Sequence, residues 1–239
     1  MLKFISLTGW DESVTPVATV EFLIQNPTAV AGIHFSLERR GEPMHPRDHW
    51  VEELCRLYDD HSEKLTHKLD AHLGNKWSLD VSGGDMRVLE VIVDTGVFGR
   101  VQLNHMKKNK AKAFLEGVQE YPEVEFILSR SHITEEFCQN VDTLAQEQGI
   151  SNIAYLYDSS WGRGLTPEKW DKPNPHFFTG YAGGLGAHNL EEVLEWLQQL
   201  TNNRPFWVDM ESSLRSDDKQ NFHIDAAQKC VDIANKFIK

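Results

Sequence analysis

From end to end the chain alternates short apolar, β-branched runs with longer stretches whose apolar residues recur at three and four positions. The first pattern fits strands buried on both faces; the second fits helices with one buried stripe. The runs predict strands over residues 3–8, 30–36, 65–72, 100–104, 124–129, 152–158, 177–181 and 205–210. Helical stripes are clear at Leu190, Val193, Leu194, Leu197 and Leu200, and at Ala227, Cys230, Val231, Ala234 and Phe237. Start signals accompany them: Pro46-Arg47-Asp48 ahead of Trp50, Asn189 with Glu191 and Glu192, and Asp225 as a cap for the last helix.

Eight strands, each followed by a helix, in 239 residues predict one α/β domain over 1–239, a single (β/α)8 TIM barrel. An open doubly wound sheet is the competing architecture. Closure is favoured because no long insertion or shift in composition separates two halves, and polar or glycine-rich residues repeatedly follow the strand ends. The two most irregular connections, "ERRGEPMHPRDHW" and "SSWGRGLTPEKWDKPNP", follow the second and sixth strands. They place Trp161 and Trp170 beside the barrel mouth.

A hydrophobic content of 40% is enough for a full core, and a net charge of −12 argues against nucleic acid or an anionic membrane surface as partner. Cys55, Cys138 and Cys230 fall in helix-like segments without ligand spacing, which fits a reducing compartment. With no apolar run of about 18 residues and no cleavage pattern, the expected location is cytoplasmic. No cofactor is expected, because a Walker A loop, a Rossmann glycine fingerprint and a Gly-x-Ser-x-Gly elbow are all missing from the sequence.

In a barrel, the residues after each strand converge on one mouth. Asp158 is the leading acid–base candidate, since partial burial or a charged neighbour such as Arg163 can shift a carboxylate; the competing reading makes it a cap for the turn that follows. Asp11 and His72 are further candidates for proton transfer. Arg39, Arg40, Gln102, Asn104, Arg163 and Asp209 are candidates for holding substrate. The glycine-rich turn before the helix at Leu190 suggests an anion site at Gly183 and Gly184, with hydroxyls from Ser212 and Ser213. A tight turn and routine serine capping are the plainer readings. His34, His72, Asp209 and Glu211 offer metal-ligand chemistry, but no His-x-His or His-Glu-x-x-His spacing occurs, and Asp209 and Glu211 are expected on opposite faces of the last strand. No metal is therefore expected.

The segments "KFISLTG", "GIHFSLERRGEP", "RVQLNH", "AYLYDSSWGRG", "GYAGGLGAHNLEEVL" and "FWVDMESSLRSDD" resemble, in order and spacing, strands of the phosphoribosylanthranilate isomerase family of TIM barrels. Bacterial relatives with the arginine-glycine-proline loop and the Asp-Ser-x-Gly-Arg-Gly turn are similar too. The resemblance implies an Amadori-type rearrangement of a phosphorylated sugar amine, with Asp158 matching the general acid and phosphate held at Gly183, Gly184, Ser212 and Ser213. The family's base is a first-strand cysteine, and this chain has Ser6 in that segment, an unactivated hydroxyl far weaker than a thiolate. Asp11 or His72 is the expected substitute. In the last loop Glu211 is inserted and a glycine is lost; Arg215 is the residue that would offset the added charge.

The sequence thus predicts an isomerase or lyase acting on a small anionic, phosphorylated sugar-like metabolite. A barrel that keeps the pocket and binds without turnover is the alternative. Oligomeric state is not legible.

Overall fold

The structure, a computed structural model, describes residues 1–65, 68–93, 95–158 and 164–238. Eight parallel strands close into one barrel in sequence order: β1 Leu2–Thr8, β2 Ala29–Phe35, β3 Leu69–Leu73, β4 Phe98–Leu103, β5 Glu125–Arg130, β6 Ile153–Asp158, β7 Phe178–Ala182 and β8 Phe206–Met210. The expected (β/α)8 TIM barrel is what the chain forms.

Helices wrap the barrel: α1 Pro16–Gln25, α2 Asp48–Asp59, α3 Ser62–Leu65, α4 Asn75–Ser82, α5 Arg87–Val93, α6 Ala111–Val118, α7 Glu135–Gln148, α8 Leu190–Leu200 and α9 Ile224–Ala234. Seven of the eight strands lie within two residues of their expected bounds. The third begins later than expected because Leu65 closes the short helix α3, burying its side chain there. A second departure follows β6, where residues 164–177 carry no helix among the described residues. Trp170 fills that space instead: it is buried, with its ring set edge-on to Tyr181 at 5.7 Å. It is therefore packing, not an exposed rim residue, while Trp161 lies outside the described residues. Asp225 sits inside the first turn of α9, and His223 occupies the cap position.

Strand side chains alternate between the helical layer and the barrel interior. Outward residues such as Ile5, Leu7, Ile33, Leu69, Val101, Phe126, Tyr155, Phe206 and Val208 join the main core under the helices. The interior is divided. One side is apolar, built from Ile127, Ala154, Leu156, Ala182 and Trp207. The other carries buried Ser6, Thr8, Asp70, His72, Arg100 and Gln102. Arg100 lies with its guanidinium carbon 4.6 Å from the ring centres of both Phe4 and Trp207, and it pairs with Asp70 at 2.9 Å and Glu125 at 2.7 Å. Ion pairing and two aromatic faces together offset the cost of burying this charge.

Candidate functional site

A cavity of about 410 Å³ opens at the C-terminal ends of the strands, lined among others by His72, Gln102, Asn104, Ser129, Leu156, Asp158, Asp209 and Glu211. Strand register explains the gathering. Ala182 of β7 is the partner of Asp158 on one side and of Asp209 on the other. With neighbouring strands ~4.8 Å apart, the two aspartate backbones stand roughly 10 Å apart, a gap suited to a small metabolite.

Asp209 and Glu211 line the same cavity, contrary to the expectation that they face apart. The reason is the strand period: residues two apart share a face. Their surroundings push them in opposite directions. Asp209 is buried and accepts a hydrogen bond from Thr8 Oγ1 at 2.7 Å. Burial, with the nearby charges of Glu211 and Asp70, still pushes its pKa up to about 7. Burial acts on Glu211 too, but the His34 ring, 3.0 Å from its Oε2, outweighs burial and holds that carboxyl below the usual range. Neighbouring carboxyls held apart in this way are suited to proton transfer.

Three histidine rings adjoin the carboxylates. His34 stacks on His45 at 5.0 Å and meets His72 edge-on at 5.4 Å. Burial first, then the neighbouring His34, pushes His45 down to about 4. His72, buried on β3 directly opposite His34, is held neutral by burial and by His34 and Arg100. Room for this packing comes from Gly32. A Cβ there would fall on Thr8 Oγ1 and stand 2.8 Å from His72 Nε2. Among the described residues no group of three or more His, Cys, Asp or Glu is arranged to hold a metal ion.

The remaining expected site residues divide between the cavity and its surroundings. Gln102 and Asn104 line the cavity and are joined by a 3.0 Å hydrogen bond. Asp158 lines it too, and also borders a smaller recess of about 50 Å³ with Gly183, Gly184, Asp209, Glu211 and Ser212. Ser213 turns away, donating its hydroxyl to Leu185 O. Asp11 stands behind the mouth. It accepts from Ser13 and from the Met44 N–H at 2.6 Å, and pairs with Arg215 at 2.7 Å. Burial would raise its pKa, but those donors outweigh burial and keep it below the usual range. Arg215 is equally committed, donating to Gly9 O, Gln220 O and Lys219 O as well as to Asp11, so its charge is spent on the fold. Arg39 and Arg40 are exposed and pair with Glu42 and Asp48, away from the cavity lining. Arg163 lies outside the described residues.

Sequence reasoning did not place Glu211 beside Asp209 on the cavity wall, nor His34 stacked on His45. The first was available from the strand period applied to residues 207, 209 and 211. The second depends on how the loop after β2 folds back, which no local pattern encodes. The cysteines occupy α2, α7 and α9, where burial pushes their thiols up to about 11 for Cys55 and Cys230 and about 12 for Cys138. None of them can supply a thiolate to the mouth.

The barrel and its polar mouth define the class of molecule by architecture. No family model and no curated protein matches the chain. Solved structures do. Phosphoribosyl anthranilate isomerase from Thermus thermophilus is similar with a TM-score of 0.59 at 14% identity, covering 98% of this chain and 99% of the other. A truncated form of 3-deoxy-D-arabino-heptulosonate 7-phosphate synthase from Thermotoga maritima gives 0.58 at 13% identity, covering 99% and 86%. 3-Hexulose-6-phosphate synthase from Salmonella typhimurium gives 0.54 at 13% identity, covering 98% and 99%. At such identities the likeness is one of fold. Among the described residues no helix is long and apolar enough to cross a membrane.

Proposed function

We propose that the chain is a TIM-barrel enzyme that moves protons on a small, anionic, sugar-like metabolite, acting as an isomerase or lyase, with Asp209 and Asp158 as the acid–base pair. The observation that carries this reading is Asp209, a buried carboxyl at the cavity wall whose pKa stands at about 7, where a group exchanges protons most readily in neutral solution. Its position also supports it as the base. Ser6, in the segment resembling the one that carries the isomerase family's cysteine, is paired in register with Asp209 on the adjoining strand. Asp209 and Asp158 share the two transfers: one takes a proton from carbon beside a carbonyl or imine, and the other delivers one to the heteroatom. The proton count balances and no external reactant is needed.

In this reading His72, Gln102 and Asn104 hold hydroxyl groups from the opposite wall. The phosphate rests in the recess at Gly183, Gly184 and Ser212. The similar barrels support the phosphate, since the name of each includes a phosphate or phosphoribosyl compound. A second reading, an unphosphorylated or amino sugar, is favoured by the recess itself. Among the described residues its lining includes three carboxylates and neither lysine nor arginine.

The deciding experiment follows hydrogen–deuterium exchange into a panel of sugar phosphates and the matching free sugars by proton NMR, alongside thermal shift. Exchange and a raised Tm confined to phosphorylated compounds support the first reading. Free sugars performing as well would remove the phosphate. A panel that gives neither exchange nor stabilisation would remove the enzyme.

A further inference from the structure

The polar half of the barrel interior continues below the mouth. Ser6 of β1 is the register partner of Asp209, and its hydroxyl donates to Asp70 Oδ2 at 3.4 Å. The same hydroxyl is within hydrogen-bonding reach of Asp209. One hydroxyl has one proton to give, so the two carboxylates compete for it. Asp70 in turn pairs with Arg100, which pairs with Glu125. An unbroken line of polar contacts therefore runs from the cavity wall through Ser6 into the buried centre of a barrel interior that apolar side chains ordinarily fill. Nothing in packing alone requires an ionisable pair there, since replacing a buried ion pair by apolar residues of similar volume is often neutral or stabilising.

We propose that Asp70 is a positioning residue that governs the protonation of Asp209 through Ser6, and so readies the mouth carboxyl for proton transfer. The proposal rests on the acid–base reading above, but its test does not require turnover. The groups facing Asp209 are Ser6 and Thr8 from β1, Asp70 from β3 and Glu211 beyond β8. His72 and Asp158 line the same cavity. Of these only Asp70 is a charge wholly enclosed by protein that reaches Asp209 through a shared donor. Both carboxyls are raised by burial, Asp70 to about 6, with Arg100 tempering the effect on Asp70.

The test is a carbon-13 NMR titration of the aspartate carboxyls in the intact protein, with Asp209 assigned from Asp209→Asn. Asp70→Asn removes a neighbouring negative charge and releases the Ser6 hydroxyl to Asp209. The Asp209 midpoint then falls, by about one pH unit. Ser6→Ala removes the shared donor, and the midpoint rises. Shifts of opposite sign support the proposal; midpoints that stay in place, or move the same way, overturn it. Should Asp70→Asn fail to fold, the Ser6→Ala shift decides, a rise supporting the proposal and an unmoved or lowered midpoint overturning it. If the panel of sugars yields no substrate while the two midpoints separate as described, the acid–base reading fails and the coupling stands.

Discussion

Asp158 and Asp209 lie level with one another across a single alanine, since each is the register partner of Ala182 on the strand between them. Parallel pairing makes this spacing a property of the sheet rather than of loop conformation. It is as rigid as the barrel.

That rigidity makes the turnover test clean. Asp158→Asn and Asp209→Asn each keep size and most hydrogen bonds, so both are expected to fold. With any compound the wild type converts, each is expected to lose activity by about 10²–10⁴-fold. Circular dichroism and steady-state rates measured together check this, and retention of rate by either variant would remove that residue from the chemistry.

The raised pKa of Asp209 has a consequence for stability. The folded state holds this proton more tightly than the unfolded chain, so its contribution is complete below the ordinary value of 3.8 and is lost as pH climbs through about 7. Relative to wild type, Asp209→Asn should gain stability between pH 4 and pH 8, by on the order of a few kcal/mol. Urea unfolding at a series of pH values measures it. A stability difference constant across that range would contradict the assigned environment.

Arg215 offers the opposite sign. Its partner Asp11 has a lowered pKa, so this pair stabilises the fold above the usual aspartate range and fades as pH falls below it. Arg215→Met leaves Asp11 buried against Ser13 and the Met44 amide without its cation. The expected loss is about 3–5 kcal/mol at neutral pH, shrinking in acid, again read by denaturant midpoints.

Gly32→Ala tests the packing under the histidines. Because a Cβ there falls on Thr8 Oγ1 and crowds His72, the substitution must displace a neighbour. A cost of about 1–3 kcal/mol is expected, together with a further rise in the Asp209 midpoint as the Thr8 hydrogen bond is strained. An unchanged Tm would show that the interior gives way more easily than its geometry implies.

How much of this was legible beforehand differs by scale. The alternation of apolar runs and helical stripes carried the barrel, because strand and helix periods are local properties of sequence. The strand ends located Asp158, Gln102, Asn104 and Asp209 for the same reason. Leu65 misled because one apolar residue serves a short helix as well as a strand start. Arg39 and Arg40 drew attention as cations near a mouth, yet Glu42 and Asp48, a few residues away, take up their charge. The tie between Asp11 and Arg215 joins residues 204 positions apart, a distance at which no pattern in the chain speaks.

That tie has a bearing on ligand association. One carboxylate, Asp11, holds the connections after β1, β2 and β8 through Ser13, Met44 and Arg215, and Glu211 stands beside them. This sector of the rim is set when the chain folds. Its loss of freedom is not repeated at each encounter, so a ligand arriving there keeps more of its contact energy as affinity.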